Sequence, residues 1–269
     1  MPVLFLSHGA PGLALEAGET GVAWRQLAAQ LARPSAILVV SAHWETHIPT
    51  VSRAVWPETI HDFSGFPSEL YKLRYTAPGA PQMAEAAAQA LRQAGMQVVL
   101  DDTRGLDHGA WIPLSLMFPD ADIPVAQLSI QPEQSPAWHI ELGRALRPLR
   151  EQGVLIVCSG AITHNLRAIF RHPQGEPVPA WVAEFCCWIA DRIAAGDIDA
   201  LSNYRALAPH AAQNHPTDEH LLPLFVALGA AHRINDSQHL NHVMTCGLLA
   251  MDAWLFDAAG LKMAEFAHS

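Results

Sequence analysis

Fifteen histidines stand against sixteen lysines and arginines combined in this 269-residue chain. Imidazole is the commonest protein ligand for metals, because its neutral form offers a lone pair near pH 7. The placement of these histidines is as informative as their number. His8 directly follows an apolar run, within Ser-His-Gly-Ala-Pro at 7–11, and His43 follows a second, within Ser-Ala-His-Trp-Glu at 41–45. His164 lies five residues beyond Ser159, which closes a third such run. His108 stands in Gly-Leu-Asp-His-Gly-Ala-Trp at 105–111, and His220 in His-Pro-Thr-Asp-Glu-His at 215–220. Open parallel sheets bind ligands beyond the carboxyl ends of their strands. Histidines placed there from distant segments would converge on one crevice and gather around one divalent metal ion. A histidine without such a context is more often a surface or core residue. On that ground His47, His139, His172, His210, His232, His239 and His268 are assigned to structure or surface, with His61, His215 and His242 intermediate.

Competing chemistry has no motif. The chain holds no His-Glu-x-x-His, no phosphate-binding glycine loop and no Gly-x-Ser-x-Gly elbow. Ser159-Gly160 follows a strand-like run, but the glycine that an elbow needs before the serine is missing. The four cysteines, Cys158, Cys186, Cys187 and Cys246, form no Cys-x-x-Cys pair and are expected as buried thiols in a reducing cytoplasm.

These side chains need a rigid frame, and the apolar pattern predicts one. Ala36–Ala42 is a continuous apolar run that predicts a strand covered on both faces, Val3–Ser7 and Val154–Ser159 predict buried strands, and Pro124–Ile130 and Gln97–Leu100 predict further strands. Helical spacing predicts helices over Gly21–Ala32, 80–94, Gly109–Met117, Ser135–Glu151, Ala161–Phe170, Val178–Ala195 and Thr217–Leu228. Thr217 is placed as the N-cap of the last, which puts His220 at its third helical position. The tail from His242 to Leu255 closes the fold as strand or helix. Strands alternating with helices predict a single-domain three-layer α/β/α sandwich spanning residues 1–269, with a central, largely parallel or mixed sheet. Between Val55 and Pro81, Trp56, Phe63, Phe66, Tyr71 and Tyr75 occur among Pro and Gly without a period. Such an excursion from a compact domain most often forms a pocket wall or lid.

Composition removes other classes of function. Half the residues are hydrophobic and the net charge is −10, so no basic stripe exists for nucleic acid or an anionic membrane. No apolar run reaches the length of a membrane span, and no positive residue precedes Arg25, so a cytoplasmic location is expected. Oligomeric state leaves no signature.

Taken jointly with His-Asp-Phe-Ser-Gly-Phe-Pro at 61–67 and Thr-His-Asn-Leu at 163–166, these motifs resemble the extradiol 4,5-DOPA dioxygenase family. That family lies within the class III ring-cleaving dioxygenases related to protocatechuate 4,5-dioxygenase. The matching segments run from residue 7 to about 256. The resemblance implies that His8, His43 and His220 hold the metal, with His164 an additional metal contact. It also implies acid/base or substrate-orienting roles for His164 and His108. It further implies a small-molecule catechol and O₂ as partners, opened to a muconic semialdehyde-type product. Fe(II) is the metal expected for activity, and an all-histidine site also suits Zn(II). His164 is the candidate base for the catechol and His108 the candidate donor to oxygen. The aromatic stretch 56–75 would wall the ring, with His61 and Tyr75 as polar contacts. Two readings compete with this one: a zinc hydrolase on the same ligands, and a non-catalytic metal-binding relative.

Overall fold

The computed structural model describes residues 1–173, 175–241 and 243–258, so the expectations for His242 and His268 lie outside the described residues. Four apolar runs form the centre of an eight-stranded sheet. They are β1 (Val3–Ser7), β2 (Ala36–Glu45), β5 (Val125–Ile130) and β6 (Val154–Gly160), adjacent in the order β5-β2-β6-β1 and mutually parallel. Short strands extend both edges. β3 (Thr50–Ser52) pairs antiparallel with β5 and parallel with β4 (Val99–Asp101), while β10 (Ala253–Phe256) pairs antiparallel with β1 and with β7 (Ser237–Asn241). A separate two-stranded ribbon joins β8 (Met244–Thr245) to β9 (Leu249–Ala250). The sheet is therefore mixed, with a parallel heart.

Alternate residues of each central strand face opposite layers. Val3, Phe5, Leu38, Val40, Ile156 and Cys158 meet α2 (Pro81–Gln93), α4 (Pro136–Glu151) and α10 (Leu222–Ala230). Leu4, Leu6, Ile37, Val39, Leu155 and Val157 meet α1 (Gly18–Gln30) and α3 (His108–Met117). Each fully buried aliphatic side chain contributes roughly 1.5–3 kcal/mol, so two such layers hold the sheet firmly. Because both faces are apolar, alternation alone would not penalise a one-residue slip of register. Polar residues at the strand ends do. Ser7 stands opposite Gly160, and Ser41 opposite Ser159. Their hydroxyls are buried and bonded, and a slip would leave them unpaired at about 1–3 kcal/mol each.

Several expected boundaries move. Strand β2 continues through His43 to Glu45, and its pairing with β5 jumps from Val40–Leu128 to Glu45–Ile130. That bulge lifts the strand end away from the sheet and carries His43 with it. The helix expected over Ala161–Phe170 shrinks to α5 (Leu166–Ile169), because Asn165 caps it by accepting from the Ala168 N–H. Helix α6 runs over Ala180–Ala195, followed by the short turns α7 (Ile198–Ser202), α8 (Tyr204–Leu207) and α9 (Ala211–Asn214), which the apolar pattern had not signalled. The helix expected from Thr217 starts instead at Leu222, with Pro223 in its first turn, where a missing N–H costs nothing. A helix begun at Thr217 would have carried that proline in its interior. Two of the cysteines expected to be buried, Cys187 and Cys246, are exposed. Among the described residues no helix is long and apolar enough to cross a membrane.

Candidate metal and catalytic site

The carboxyl ends of β1, β2 and β6 open on one side of the sheet, and the five singled-out histidines meet there. His8 leaves β1 with its main-chain N–H donating to the Gly160 carbonyl at 3.0 Å. His43 arrives on the lifted end of β2. His108 is the first residue of α3, and His164 lies in the loop after β6, its N–H donating to Asn214 at 3.0 Å. His220 lies two residues ahead of α10. Its carbonyl accepts from Ala161 at 2.8 Å, so this segment packs directly on the end of β6. A Cβ on Gly160 would fall 2.2 Å from that carbonyl oxygen, so only glycine allows the approach.

Ring nitrogens of His8, His43 and His220 lie within 4.8 Å of one another and could hold a metal ion. The hydrogen bonds fix which nitrogens are free. The Ser159 hydroxyl donates to the Gly109 carbonyl at 2.5 Å, so toward His8 Nδ1, at 2.9 Å, it can only accept. His8 therefore carries its proton on Nδ1 and a lone pair on Nε2. His220 Nδ1 donates to Glu219 Oε1 at 3.0 Å, and His220 Nε2 is buried without a hydrogen-bond partner among the described residues. An orphaned, buried lone pair of this kind is costly unless something electron-poor occupies the space before it. His8 Nε2 and His43 Nε2 face each other at 3.0 Å. Two nitrogens each about 2.1 Å from a common ion, at about a right angle, would have this separation. Burial pushes the pKa of His8 and His220 well below the usual histidine value, and nearby imidazoles add to the shift. Burial also lowers His43 to about 4, against the pull of Asp107 and Asp62. The trio is thus held neutral, the form that ligates metals. These donors fit a divalent ion.

His164 stacks on His220, ring centroids 3.4 Å apart, and lies 3.9 Å from the Glu219 carboxylate. Burial takes it down to about 4 as well, despite Glu219. The His108 ring packs on His43 at 3.9 Å and edge-on to His8 at 5.5 Å. Phe63 meets it edge-on from the irregular stretch at 5.6 Å, and that ring in turn contacts Phe66 and Tyr71. The aromatic segment therefore walls the His108 side. His61 sits behind Phe63, with Nε2 on the Leu73 carbonyl at 3.1 Å. Tyr75 is not brought to the cluster. It is 3% exposed, and its hydroxyl donates to the Phe118 carbonyl, which commits it to the core rather than to a substrate.

Three supporting residues escaped the sequence reading. Asp62, next to His61 in a motif already quoted, accepts from the His108 ring. Ser159, weighed only as a nucleophile, orients His8. Glu219, next to His220 in a motif already quoted, received no role. Residues 217–221 are not helical, and Glu219 accepts from His220. Asp107, fully buried, takes bonds from Ser41 at 2.7 Å, Gln127 at 2.7 Å, Arg104 at 3.0 Å and the Ala110 N–H, tying α3 to β2 and β5. An open cavity of about 520 Å³ lies beside the cluster rather than over it. It starts at Asn165 and is lined by Arg167, Arg171, His172, Trp181 and Gln213.

A mixed α/β sheet with a histidine cluster that could hold a metal ion at its carboxyl end defines a class; the comparisons define the family. Residues 3–249 match the model of the catalytic LigB subunit of aromatic ring-opening dioxygenase, and the chain belongs to that family. It is 39% identical over 257 residues to the 4,5-DOPA dioxygenase extradiol of Beta vulgaris, covering 94% of this chain and 95% of the relative. It is 43% identical over 234 residues to the 4,5-DOPA dioxygenase extradiol of Escherichia coli K12, covering 86% and 85%. The fold superposes on the crystal structure of an uncharacterized E. coli K12 protein with a TM-score of 0.80 at 35% identity, over 95% of this chain and 99% of that one. The protein is an aromatic ring-opening dioxygenase.

Proposed function

We propose that the chain opens a catechol ring by extradiol cleavage, with His8, His43 and His220 holding one Fe(II). The observation that carries this reading is the set of three neutral imidazoles whose free nitrogens converge, His220 Nε2 among them without a partner. Bound Fe(II) would supply the redox chemistry with dioxygen that Zn(II) lacks. The chain's own residues do the rest. His164, neutral by burial, accepts a proton from the catechol hydroxyl as the substrate binds. His108 takes up the second catechol proton on the nitrogen that faces the substrate and returns it to the oxygen atom that gathers charge as the ring opens. Phe63 and its aromatic neighbours exclude water from the His108 side, with His61 behind them. Arg167 and Arg171, which form no ion pair among the described residues, suit a catechol whose side chain carries a carboxylate.

Oxygen uptake by protein loaded anaerobically with Fe(II) tests the reading. Stoichiometric uptake and a ring-opened semialdehyde are expected with L-DOPA, caffeate or protocatechuate, at lower KM than with 4-methylcatechol. No uptake with any of them overturns the reaction. Equal KM for charged and neutral catechols overturns the role of the arginines.

A further inference from the structure

We propose that Asp62 is a positioning residue: its carboxylate fixes the proton of His108 on Nδ1 and leaves Nε2 as the ring nitrogen that acts on the substrate. The inference rests on the ring-opening reading above and deepens it.

Helix α3 begins at His108, and Asp107 caps it by accepting from the Ala110 N–H. The His108 main-chain N–H is one of the first-turn donors that a helix cannot satisfy internally. Asp62, arriving from the irregular stretch, accepts that N–H on Oδ1 at 3.0 Å. The same oxygen lies 2.9 Å from His108 Nδ1. One atom thus grips a single residue at its backbone and at its ring, which fixes both where the ring starts and how it is turned. A carboxylate offers no donor, so the ring must bring the proton to Nδ1. The other carboxylate oxygen lies 3.6 Å from His43 Nδ1, so one side chain faces both the acid/base residue and a candidate metal ligand. Phe63 edge-on and His43, tilted by 45°, complete the enclosure of the His108 ring. Nothing else among the described residues bonds His108 Nδ1, so its proton has no other keeper.

Asp62→Leu keeps the volume and removes the acceptor, whereas Asn could still accept both bonds through one oxygen. Without the carboxylate the ring proton should settle on Nε2, the form that an unconstrained neutral histidine favours. Residues that orient an active imidazole cost about 10–100-fold when removed. In metal-free protein with ¹⁵N-labelled histidine, two-bond proton–nitrogen correlation should show His108, identified by its loss in His108→Gln, as the Nδ1–H tautomer. In Asp62→Leu it should show the Nε2–H tautomer. In Fe(II)-loaded protein, kcat should fall about 10–100-fold while KM and metal content change less than about threefold, and Asp62→Glu should recover part of the loss. An Nε2–H ring in the wild type, or an unchanged tautomer or kcat in Asp62→Leu, overturns the proposal. If Asp62→Leu does not fold, the wild-type tautomer decides alone. If the wild type consumes no oxygen with any catechol, the ring-opening reading fails, and the tautomer still judges the hold of Asp62 on His108.

Discussion

At the scale of single residues, the site depends on hydrogen bonds that leave the right nitrogen bare. Ser159 is the plainest case, because its one proton goes to Gly109 and forces His8 to donate from Nδ1. Ser159→Ala should leave the fold intact and weaken metal binding by about 10–100-fold, as measured by competition with a chelator. Wild-type affinity in that variant would show that His8 needs no such partner. His8 and His43 were legible in the sequence because each follows an apolar run, and strand ends are where parallel sheets bind ligands. Asp62, Ser159 and Glu219 were not. Each acts on a histidine whose identity as partner only the fold supplies, and two of the three pairings cross distant segments. Tyr75 failed for the opposite reason. Aromatic residues in a loop have the same composition whether they face a pocket or the core, and its hydroxyl found a carbonyl inside.

At the scale of elements, the central strands and the long helices followed their patterns closely, since fully buried β-branched runs and amphipathic alanine-rich segments leave little choice. The errors fall where a local polar bond or a proline overrides periodicity. Asn165 delays α5, Pro223 delays α10, and the bulge in β2 keeps His43 extended. The delay of α10 has a functional consequence, because it leaves His220 in a turn pressed against the end of β6. Gly160→Ala should push that turn outward, since the added carbon meets the His220 carbonyl at 2.2 Å. The expected result is a loss of about 1–3 kcal/mol in stability together with weaker metal binding. Unchanged melting and metal affinity would mean that the turn gives way freely.

At the scale of the whole molecule, buried neutral histidines outside the site tie stability to pH. His139 donates from Nδ1 to the Ser135 carbonyl at 3.0 Å and accepts the Gln131 N–H on Nε2 at 3.3 Å, which pins the start of α4 to the end of β5. Burial lowers its pKa to about 4, although the bond to Ser135 opposes this, and burial lowers His215 to about 3. The unfolded chain takes up these protons near the ordinary value of about 6.5, so it binds more protons than the folded one below that pH. Stability should therefore fall as pH drops from about 6.5 to about 4, by up to roughly 3 kcal/mol from His139 alone. Urea unfolding across this range should be less steep with pH in His139→Gln, and an unaltered slope would remove His139 from the account. The three-layer architecture was legible because β1, β2 and β6 are apolar on both faces along most of their length and alternate with helical patterns. Strand β4 was expected at Gln97–Leu100 and is found at Val99–Asp101, whereas β3 and β7 had no apolar signal, and pairing rather than composition makes them.

The central claim is that His8, His43 and His220 hold the metal while His164 and His108 act on the substrate. Metal content by elemental analysis, after dialysis of the wild type and the five single His→Ala variants, tests it most directly. The account predicts one ion per wild-type chain, loss of metal in His8→Ala, His43→Ala and His220→Ala, and retention in His164→Ala and His108→Ala. A full metal complement in His220→Ala, or its loss in His108→Ala, would contradict it.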